Sequence, residues 1–492
     1  MNAARPGDIA HEQRVMAEQV TARGVGGVIA AAAPLAAQAG AAALRAGGNA
    51  YDAAVAAALA ETVLLPPKCG LGGDLVAIVV PGPGAEPEAV IAVGGAAAGH
   101  ASVARAGTWR DVGPDSVGPP AAAAGYAALA DRGVLGRDAV ARAAIGLAVD
   151  GFPWAAVCTN LSRQAAALVA EMHPGGCAYY PDGEPFAAGA VVRLPGLAEV
   201  LREWVQRGAD LLAGPVGAAI ERAVAQRGGA LRASDFAYAT AEWRECASVD
   251  TGDRRLWATP APTHGPGLLA AVADAAAAGA LDPVGMHRAV MRAIEQQRRE
   301  LGDPGGTSMV SAGDASGTVV TIVHSNSYPR FGSGIVVPEY TLPLANRAGR
   351  GFTPEAGHPN FPEAGRRPAT TLHAWAASDA AGAARWVGGT PGGANQLPWN
   401  AQALSRLLAG EERPGMLVTA PLWEWIPDDD GLRVEAGFPG DVAVALGAAT
   451  PRVVSAPRWG CKSAQQVVRV PSPGEAWEAA ADPRTVGLAL GA

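Results

Sequence analysis

The stretch DPGGTSMVSAGDASGTVVTIVHS, residues 303–325, decides the fold of this chain. Two runs of strand-forming residues, 307–313 and 318–325, flank the turn sequence DASG, and this pattern predicts an antiparallel hairpin. A Gly-Gly pair stands directly before the hairpin, and Thr307 is its first residue. A turn explains the glycines and a strand explains the threonine. Neither a turn nor a strand requires a flexible Gly-Gly pair directly before a residue with a hydroxyl group.

The Gly-Gly-Thr sequence is chemically suited to self-cleavage. A threonine hydroxyl is a weak nucleophile until a base removes its proton. The α-amino group of an N-terminal threonine is such a base, with a pKa of roughly 7.7–8.0, but it exists only after the preceding peptide bond is cut. Glycines before that bond tolerate unusual backbone angles. The pattern therefore points to cleavage between Gly306 and Thr307 and to catalysis by Thr307, with an ordinary loop before a strand as the alternative.

The remaining chain alternates helical and strand patterns. Alanine-rich segments 34–48 and 49–64 predict two helices, the second capped by Asn49, and DLVAIVV at 74–80 predicts a strand. Helical patterns dominate from about 120 to 245. A second strand–turn–strand pattern spans 373–389, and a glycine turn and a helix follow it. Helices on both sides of antiparallel strands predict a layered α+β architecture.

Composition excludes several classes of protein. The chain has 492 residues, of which 49% are hydrophobic and 17% charged, as in a folded globular protein. A net charge of −8 argues against nucleic acid or an anionic membrane as partner. Five widely spaced cysteines form no CxxC pair, so the sequence indicates neither a disulfide framework nor a zinc site. Nucleophilic catalysis by a threonine needs no metal or organic cofactor, so we expect none. Polar residues interrupt the apolar stretch 28–65 and no signal segment is evident, so we expect a cytoplasmic protein.

Further motifs follow one another along nearly the whole chain. They are AAAPLAAQAGAAALRAGGNAYDAAVAAALAETVLLPPKCGLGGD at 31–74, GYAALADRGVLGRDAVARAAIGLAVDGFPW at 125–154, YYPDGEPFAAGAVVRLPGLAEVL at 179–201, GRRPATTLHA at 365–374, GGTPGGANQ at 388–396 and ADPRTVGLALG at 481–491. Together with the hairpin segment, they resemble the γ-glutamyltranspeptidase family of N-terminal nucleophile hydrolases. The resemblance runs from about residue 30 to residue 491.

The resemblance implies a fold and a maturation step. The family folds as a four-layer αββα sandwich and cleaves itself immediately before the threonine that matches Thr307. It therefore implies a large subunit, residues 1–306, and a small subunit, residues 307–492, that begins with the nucleophile. The two fragments are expected to stay together as a heterodimer and to form one αββα unit.

The resemblance also implies roles for individual residues. Thr307 would be the nucleophile, with its new amine as the base. Ser325 matches a threonine whose hydroxyl assists the nucleophile. Gly392 and Gly393 match the pair whose backbone N–H groups form the oxyanion hole, a role that suits a glycine turn at the start of a helix.

The donor pocket follows the family only in part. Thr370 and Thr371 match two serines that hold the donor's α-carboxylate, so both hydroxyls are kept. The stretch AVGGAAAGHAS at 92–102 corresponds to a family segment that carries an arginine, and it has none. Ser327 stands where the family has an asparagine that contacts the substrate.

A reversal of charge accompanies these changes. Around LANRAGRGF, residues 344–352, Arg347 and Arg350 occur where the family has an aspartate for the substrate's ammonium group. A guanidinium group suits a carboxylate, so Arg347 is the candidate for binding a carboxylated acyl group. The segment resembles the acylase-like branch of the family, whose substrates are amides with such acyl groups.

These features lead to one principal hypothesis and three alternatives. The chain is expected to be a self-processing N-terminal threonine amidohydrolase or acyltransferase. It would cleave a small-molecule amide through an acyl-threonine intermediate and pass the acyl group to water or an amino group. The alternatives are a true γ-glutamyl transferase or glutathione hydrolase, a C–C bond hydrolase of specialised metabolism, and an unprocessed homologue that only binds ligands.

Overall fold

The computed structural model describes residues 6–301, 307–427, 431–450 and 452–492. Its helices are α1 Pro6–Val20, α2 Pro34–Arg45, α3 Ala50–Leu64, α4 His100–Arg105, α5 Ala122–Ala130, α6 Arg137–Asp150, α7 Ala156–Met172, α8 Pro195–Arg207, α9 Pro215–Ala225, α10 Gly265–Ala277, α11 Pro283–Leu301, α12 Arg347–Gly351, α13 Gln396–Leu408, α14 Pro414–Thr419 and α15 Gly440–Ala448. Gly306, on one side of the predicted cleavage bond, lies outside the described residues.

The strands cover the rest of the regular structure. They are β1 Thr21–Gly24, β2 Gly27–Ala31, β3 Asp74–Val80, β4 Glu88–Ala92, β5 Phe152–Pro153, β6 Val191–Val192, β7 Glu242–Glu245, β8 Ala247–Asp250, β9 Arg255–Ala258, β10 Ser308–Asp314, β11 Val319–Ser325, β12 Val336–Val337, β13 Leu342–Pro343, β14 Ala374–Ser378, β15 Ala384–Gly389, β16 Trp423–Ile426, β17 Gly431–Glu435, β18 Val453–Ala456, β19 Gln466–Arg469, β20 Trp477–Ala481 and β21 Leu488–Gly491. Both predicted hairpins are confirmed, as β10–β11 and β14–β15.

Two antiparallel seven-stranded sheets form the centre of the molecule. The first has the order β1-β20-β19-β15-β14-β9-β8, and the second has the order β21-β2-β10-β11-β3-β4-β7. Alternate side chains of both sheets meet in a buried apolar layer that includes Val76, Met309, Trp257 and Val387. Burial on both faces explains why the central strands are almost continuously apolar.

Helices cover the outer face of each sheet. Helices α2, α3, α5, α6 and α8 enclose one apolar core against the second sheet, while α10, α11 and α13 enclose another against the first. The order of layers is therefore helix, sheet, sheet, helix, and the predicted αββα sandwich is confirmed. The small residues of α2 allow its close packing, because a Cβ atom on Gly40 would lie 2.8 Å from Ile29 and 2.9 Å from the carbonyl oxygen of Ala53.

The start of α3 follows the sequence prediction. Asn49 accepts a hydrogen bond from the backbone N–H of Asp52, and the Asp52 carboxylate accepts one from the backbone N–H of Asn49 at 3.0 Å. This reciprocal arrangement is a capping box. Asp52 also accepts from the backbone N–H groups of Val134 and Leu135, so the cap ties α3 to the loop before α6.

The residues of the candidate site lie at the ends of four central strands. The β10–β11 hairpin lies in the middle of the second sheet, between β2 and β3. Thr307 precedes β10, and Ser325 ends β11. In the first sheet, Thr371 lies shortly before β14 and Gly392 shortly after β15. Side-chain hydrogen bonds connect the two groups, as described below. No helix in the described part of the chain has the length and apolar character of a membrane span.

Candidate active site

Thr307 lies opposite Ser325 at the start of the central hairpin. Ser308 pairs with His324 in the β10–β11 ladder, and continuing this antiparallel register by one residue brings Thr307 opposite Ser325. Only 2% of Thr307 is exposed, yet it lines a cavity of about 600 Å³ together with residues from both sides of the predicted cleavage point, such as Lys68 and Trp399. A hydroxyl at such a position is shielded from bulk water but accessible to a small substrate.

Gln396, the first residue of α13, contacts the Thr307 hydroxyl. In the amide orientation that satisfies every partner, its side-chain oxygen accepts from Oγ1 of Thr307 at 3.3 Å and from Oγ1 of Thr371 at 3.1 Å. Its nitrogen donates to the carbonyl oxygens of Thr371 and Thr390, both at 3.2 Å. Gln396 therefore connects the nucleophile candidate to the Thr370–Thr371 segment. Gln396 ends the GGTPGGANQ motif, but its role was not predicted from the sequence.

Ser325 and Ser327 form a compact turn after β11. The hydroxyl oxygen of Ser325, which is fully buried, accepts a hydrogen bond from the backbone N–H of Ser327 at 2.7 Å. Ser327 has a φ of +66°, a conformation that residues other than glycine rarely adopt. Its own hydroxyl is buried without a hydrogen-bond partner in the described structure. Such strain and such an unsatisfied hydroxyl are typical of a ligand-binding position.

Gly392 and Gly393 form the turn that leads into α13. Their φ angles are +154° and +61°, and a Cβ atom on Gly392 would lie 2.2 Å from the ring of Trp399. Both residues line the cavity together with Thr307. The N–H of Gly393 lies 3.3 Å from the Gln396 oxygen, a long hydrogen bond that a negatively charged acceptor would outcompete.

Thr370 and Thr371 are buried behind Gln396. Thr371 belongs to the Gln396 network, whereas the Thr370 hydroxyl accepts from the backbone N–H of Leu372 at 3.2 Å. His373 braces this segment, because its Nδ1 contacts the carbonyl oxygen of Thr371 at 2.7 Å and its Nε2 contacts the Asn400 amide at 2.9 Å. Burial lowers the pKa of His373 to about 4, so the ring is neutral.

Arg347 is buried beside this group but does not line the cavity of Thr307. Its Nε donates to the Asp74 carboxylate at 2.8 Å, and both of its Nη atoms are buried without hydrogen-bond partners in the described structure. Asp74 pairs with Ser325 across β3 and β11. Burial raises the pKa of Asp74, and the Arg347 guanidinium group opposes that rise. The excess positive charge expected at this position is therefore partly neutralised by Asp74.

A buried polar network lies behind the nucleophile candidate. Glu61 of α3 accepts from the backbone N–H of Ala32 at 2.6 Å, from the Ser308 hydroxyl at 2.6 Å and from Nε2 of His324 at 2.9 Å. Nδ1 of His324 lies 2.6 Å from the hydroxyl of Tyr126. His324 therefore points into the helical layer and not into the cavity.

One group of side chains in the described structure has the composition of a metal site. Ligand atoms of Glu61, Cys69 and His324 lie within 4.8 Å of one another. Hydrogen bonds already occupy the carboxylate and the imidazole, and burial raises the pKa of the Cys69 thiol well above its usual value. A neutral thiol is a poor metal ligand, so this group is better described as a hydrogen-bonded network.

The cavity itself is rich in positive charge. Its lining includes Lys68, Tyr328, Arg330, Trp399 and Trp425, besides Thr307 and the two glycines. Both Arg330 and Arg350 lie over the ring of Tyr328, at 5.6 Å and 5.8 Å from its centre. Neither Lys68 nor Arg330 was predicted from the sequence to be a site residue.

Comparison with known proteins identifies the family. The γ-glutamyltranspeptidase family model matches residues 36–304 and 273–492. The chain belongs to the γ-glutamyltranspeptidase family. It is thus an enzyme of the N-terminal nucleophile amide hydrolase class, as the sequence motifs implied.

Similar proteins span nearly the whole chain. The oxamate amidohydrolase proenzyme of Klebsiella pneumoniae is 28% identical over 467 residues, which cover 82% of this chain and 87% of that protein. The acylase ACY 1 proenzyme of Pseudomonas sp. strain SE83 is 29% identical over 511 residues, covering 90% and 89%. The crystal structure of cephalosporin acylase from Bacillus halodurans superposes with a TM-score of 0.84 at 25% identity, covering 96% and 97%.

Proposed function

We propose that this family member cuts its own chain before Thr307 and then hydrolyses amides that carry a carboxylated acyl group. One observation carries the proposal: Thr307 lines the same cavity as the Gly392–Gly393 turn, and its hydroxyl is hydrogen-bonded to Gln396. A nucleophile and a set of backbone N–H donors on one cavity are the minimum that acyl transfer requires. The proenzyme relatives, an amidohydrolase and acylases, support the same chemistry.

The first step would be intramolecular. Oγ1 of Thr307 attacks the carbonyl carbon of Gly306, and the C–N bond breaks to leave an ester and a free α-amine on Thr307. Water then hydrolyses the ester, which restores the hydroxyl and releases Gly306 as a carboxylate. The products are fragments 1–306 and 307–492. The sheets interleave strands from both, since β10 pairs with β2 and β11 with β3, so the fragments stay together.

The second step would use the new terminus on a substrate. The α-amine accepts the proton of Oγ1 while Oγ1 attacks the amide carbonyl. The N–H groups of Gly392 and Gly393 stabilise the resulting oxyanion. The leaving amine takes up the proton and departs, which leaves an acyl-threonine ester. Water attacks this ester and releases the carboxylic acid.

The acyl group would be bound near Arg347. Both Nη atoms of Arg347 are buried without a hydrogen-bond partner in the described structure, and so is the hydroxyl of Ser327. A carboxylate can accept from both Nη atoms of a guanidinium group at once. Thr370 and Thr371 supply further hydroxyls in the place where the family binds a carboxylate. The free ammonium group of a γ-glutamyl donor would face a cation at this position, which disfavours it.

Denaturing electrophoresis and intact mass spectrometry of the purified protein test the cleavage. We expect two fragments that meet between Gly306 and Thr307. Thr307→Ala should yield a single full-length chain, and Thr307→Ser should still cleave because it keeps the hydroxyl. A wild-type chain that remains whole would favour the ligand-binding alternative, and an intact junction in an active enzyme would exclude the mechanism.

Matched chromogenic amides test the substrate. A glutaryl, an oxalyl and a γ-glutamyl amide of the same aniline differ only in the acyl group. We expect turnover of a carboxylated acyl group without an α-ammonium, and at least tenfold lower kcat/KM for the γ-glutamyl amide, since an unfavourable charge contact costs over about 1.4 kcal/mol. Preferred turnover of the γ-glutamyl amide would instead support the transferase alternative.

A further inference from the structure

Lysine is almost absent from this protein. Of its 38 Lys and Arg residues, only Lys68 and Lys462 are lysines. Both line the cavity that contains Thr307. Lys462 is exposed to solvent, whereas Lys68 is partly buried in the loop between α3 and β3. An ammonium group is a compact point charge, unlike a planar guanidinium group. An arginine would therefore not be equivalent to Lys68 at this position.

Lys68 and Arg330 are held next to each other by the backbone. The carbonyl oxygen of Lys68 accepts from the N–H of Asn326 at 2.8 Å, and that of Pro67 accepts from the N–H of Phe331 at 3.1 Å. Burial lowers the pKa of the Lys68 ammonium, and the positive charge of Arg330 lowers it further, although Glu61 opposes the shift. Burial also lowers the pKa of Arg330. Lys68 and Arg330 are thus two neighbouring, partly buried cations on one side of the cavity.

Neither cation has an acidic partner among the described residues. Three other cations of the cavity lining are compensated by carboxylates, whereas Lys462 is exposed to solvent. Arg433 pairs with Glu424, and Arg484 with Glu435 and Asp482. Arg350 pairs with Asp111 at 3.0 Å. Glu61 is the acidic residue with the largest effect on the pKa of Lys68. Its carboxylate already accepts hydrogen bonds from Ala32, Ser308 and His324.

The Nε of Arg330 is in addition buried without a hydrogen-bond acceptor in the described structure. A buried donor and two adjacent like charges are unfavourable unless an anion compensates them. A bound carboxylate would accept from the ammonium and from the guanidinium fork together, and this combination is stronger than either contact alone. Lys68 and Arg330 therefore form a site for an anion in the cavity, and no acidic side chain of the described residues pairs with them.

We propose that Lys68 and Arg330 bind a carboxylate on the amine half of the substrate, the half that leaves. This inference rests on the proposed function, in which Arg347 binds the acyl group. Arg347 is not part of the cavity lining, whereas Lys68, Arg330, Thr307 and the oxyanion glycines are. With the acyl group directed toward Arg347, the leaving amine occupies the cavity and meets the partly buried Lys68 and Arg330. The substrate class is thus an amide charged on both sides of the scissile bond.

Two glutaryl amides that differ only in the leaving amine test the inference. One releases 4-nitroaniline and the other releases 5-amino-2-nitrobenzoate, which carries a carboxylate. We expect the wild-type enzyme to show a KM at least tenfold lower for the carboxylated amide. Lys68→Met and Arg330→Met should each abolish most of this preference and leave kcat/KM for the uncharged amide within about twofold. Arg45→Met is the control, and it should keep the preference because Arg45 is an exposed cation of α2 that does not line the cavity.

A binding measurement separates this inference from the proposed function. Calorimetry should show that the processed wild-type enzyme binds 5-amino-2-nitrobenzoate at least tenfold more tightly than 4-nitroaniline, and that Lys68→Met removes the difference at an unchanged melting temperature. Equal binding of the two amines overturns the inference. Equal losses for both amides in the variants also overturn it, since the cations would then serve the acyl group. Preserved binding without hydrolysis of either amide would contradict the proposed function alone.

Discussion

Gly392 combines two constraints that no other residue type satisfies. Its φ of +154° is unfavourable for residues with a Cβ atom, and such an atom would lie 2.2 Å from the Trp399 ring. We expect Gly392→Ala to displace the turn and to lower kcat at least a hundredfold, as the loss of an oxyanion donor does. Steady-state kinetics and circular dichroism check this.

Gly82→Ala is the control for Gly392→Ala. Gly82 has open space around its Cβ position and an ordinary φ, so its substitution should leave kcat unchanged. Full activity in Gly392→Ala would contradict an oxyanion role for this turn.

Gln396 is expected to orient the nucleophile. Gln396→Met preserves the length of the side chain but removes the hydrogen bonds to Thr307 and Thr371. One hydrogen bond contributes about 1 kcal/mol, so we expect kcat to fall roughly fivefold with KM nearly unchanged, and self-cleavage to slow as well. Single-turnover kinetics and the time course of cleavage measure both.

The neighbouring Gln402 provides a structural control on the same helix. Its buried amide bonds to the backbone of Pro398 and Trp423, away from Thr307. Gln402→Met should lower the melting temperature but not kcat. If both variants lost activity equally, Gln396 would have only a structural role.

At the scale of elements, Glu61 connects four of them. Its carboxylate joins α3 to the end of β2, to β10 and to β11. Glu61→Leu leaves several buried polar groups unsatisfied, each at a cost of about 1–3 kcal/mol, so we expect a strongly lowered melting temperature and impaired self-cleavage. Glu61→Gln should be milder, because its amide oxygen still accepts one or two of these hydrogen bonds.

A surface glutamate supplies the comparison for Glu61. Glu88 pairs with Arg132, but about two fifths of each side chain is exposed, and such pairs contribute little. Glu88→Gln should therefore leave the melting temperature within about one degree. A comparable loss in both variants would show that the buried network does not stabilise the hairpin.

Local sequence predicted most of these elements. The turn DASG and its apolar flanks predicted β10 and β11, and Asn49 with Asp52 predicted the start of α3, because turns and caps depend on neighbouring residues alone. The Glu61 network could not be predicted in the same way. It joins residues 247 and 263 positions apart, and only the packing of α3 on the sheet brings them together.

For the whole molecule, buried histidines contribute to the loss of stability in acid. Burial lowers the pKa of His373 and of His100 to about 4 and that of His264 to about 3, below the usual value of about 6.5. Unfolded chains therefore bind more protons between pH 6.5 and 4, so the stabilising effect of neutral burial is present above pH 6.5 and is lost as the pH falls.

We expect the apparent melting temperature to fall steadily from pH 6.5 to pH 4.5, with fully buried His373 contributing up to about 3 kcal/mol. Differential scanning fluorimetry across this range measures the slope. His373→Gln should reduce the slope, and the exposed His11→Asn should not. A melting temperature independent of pH over this range would contradict the assignment of neutral buried rings.

By itself, the sequence determined the order of the elements and the layered class, because periodicity, caps and turns act between near neighbours. It also supplied the hypothesis that Thr307 is the nucleophile. It also indicated a changed donor pocket, since charges can be compared position by position. Only the tertiary structure decided that Gln396 meets Thr307, that Asp74 partly neutralises Arg347, and that Lys68 and Arg330 face the same cavity. These contacts join residues far apart in the chain, and the stacking of two sheets and two helical layers creates them.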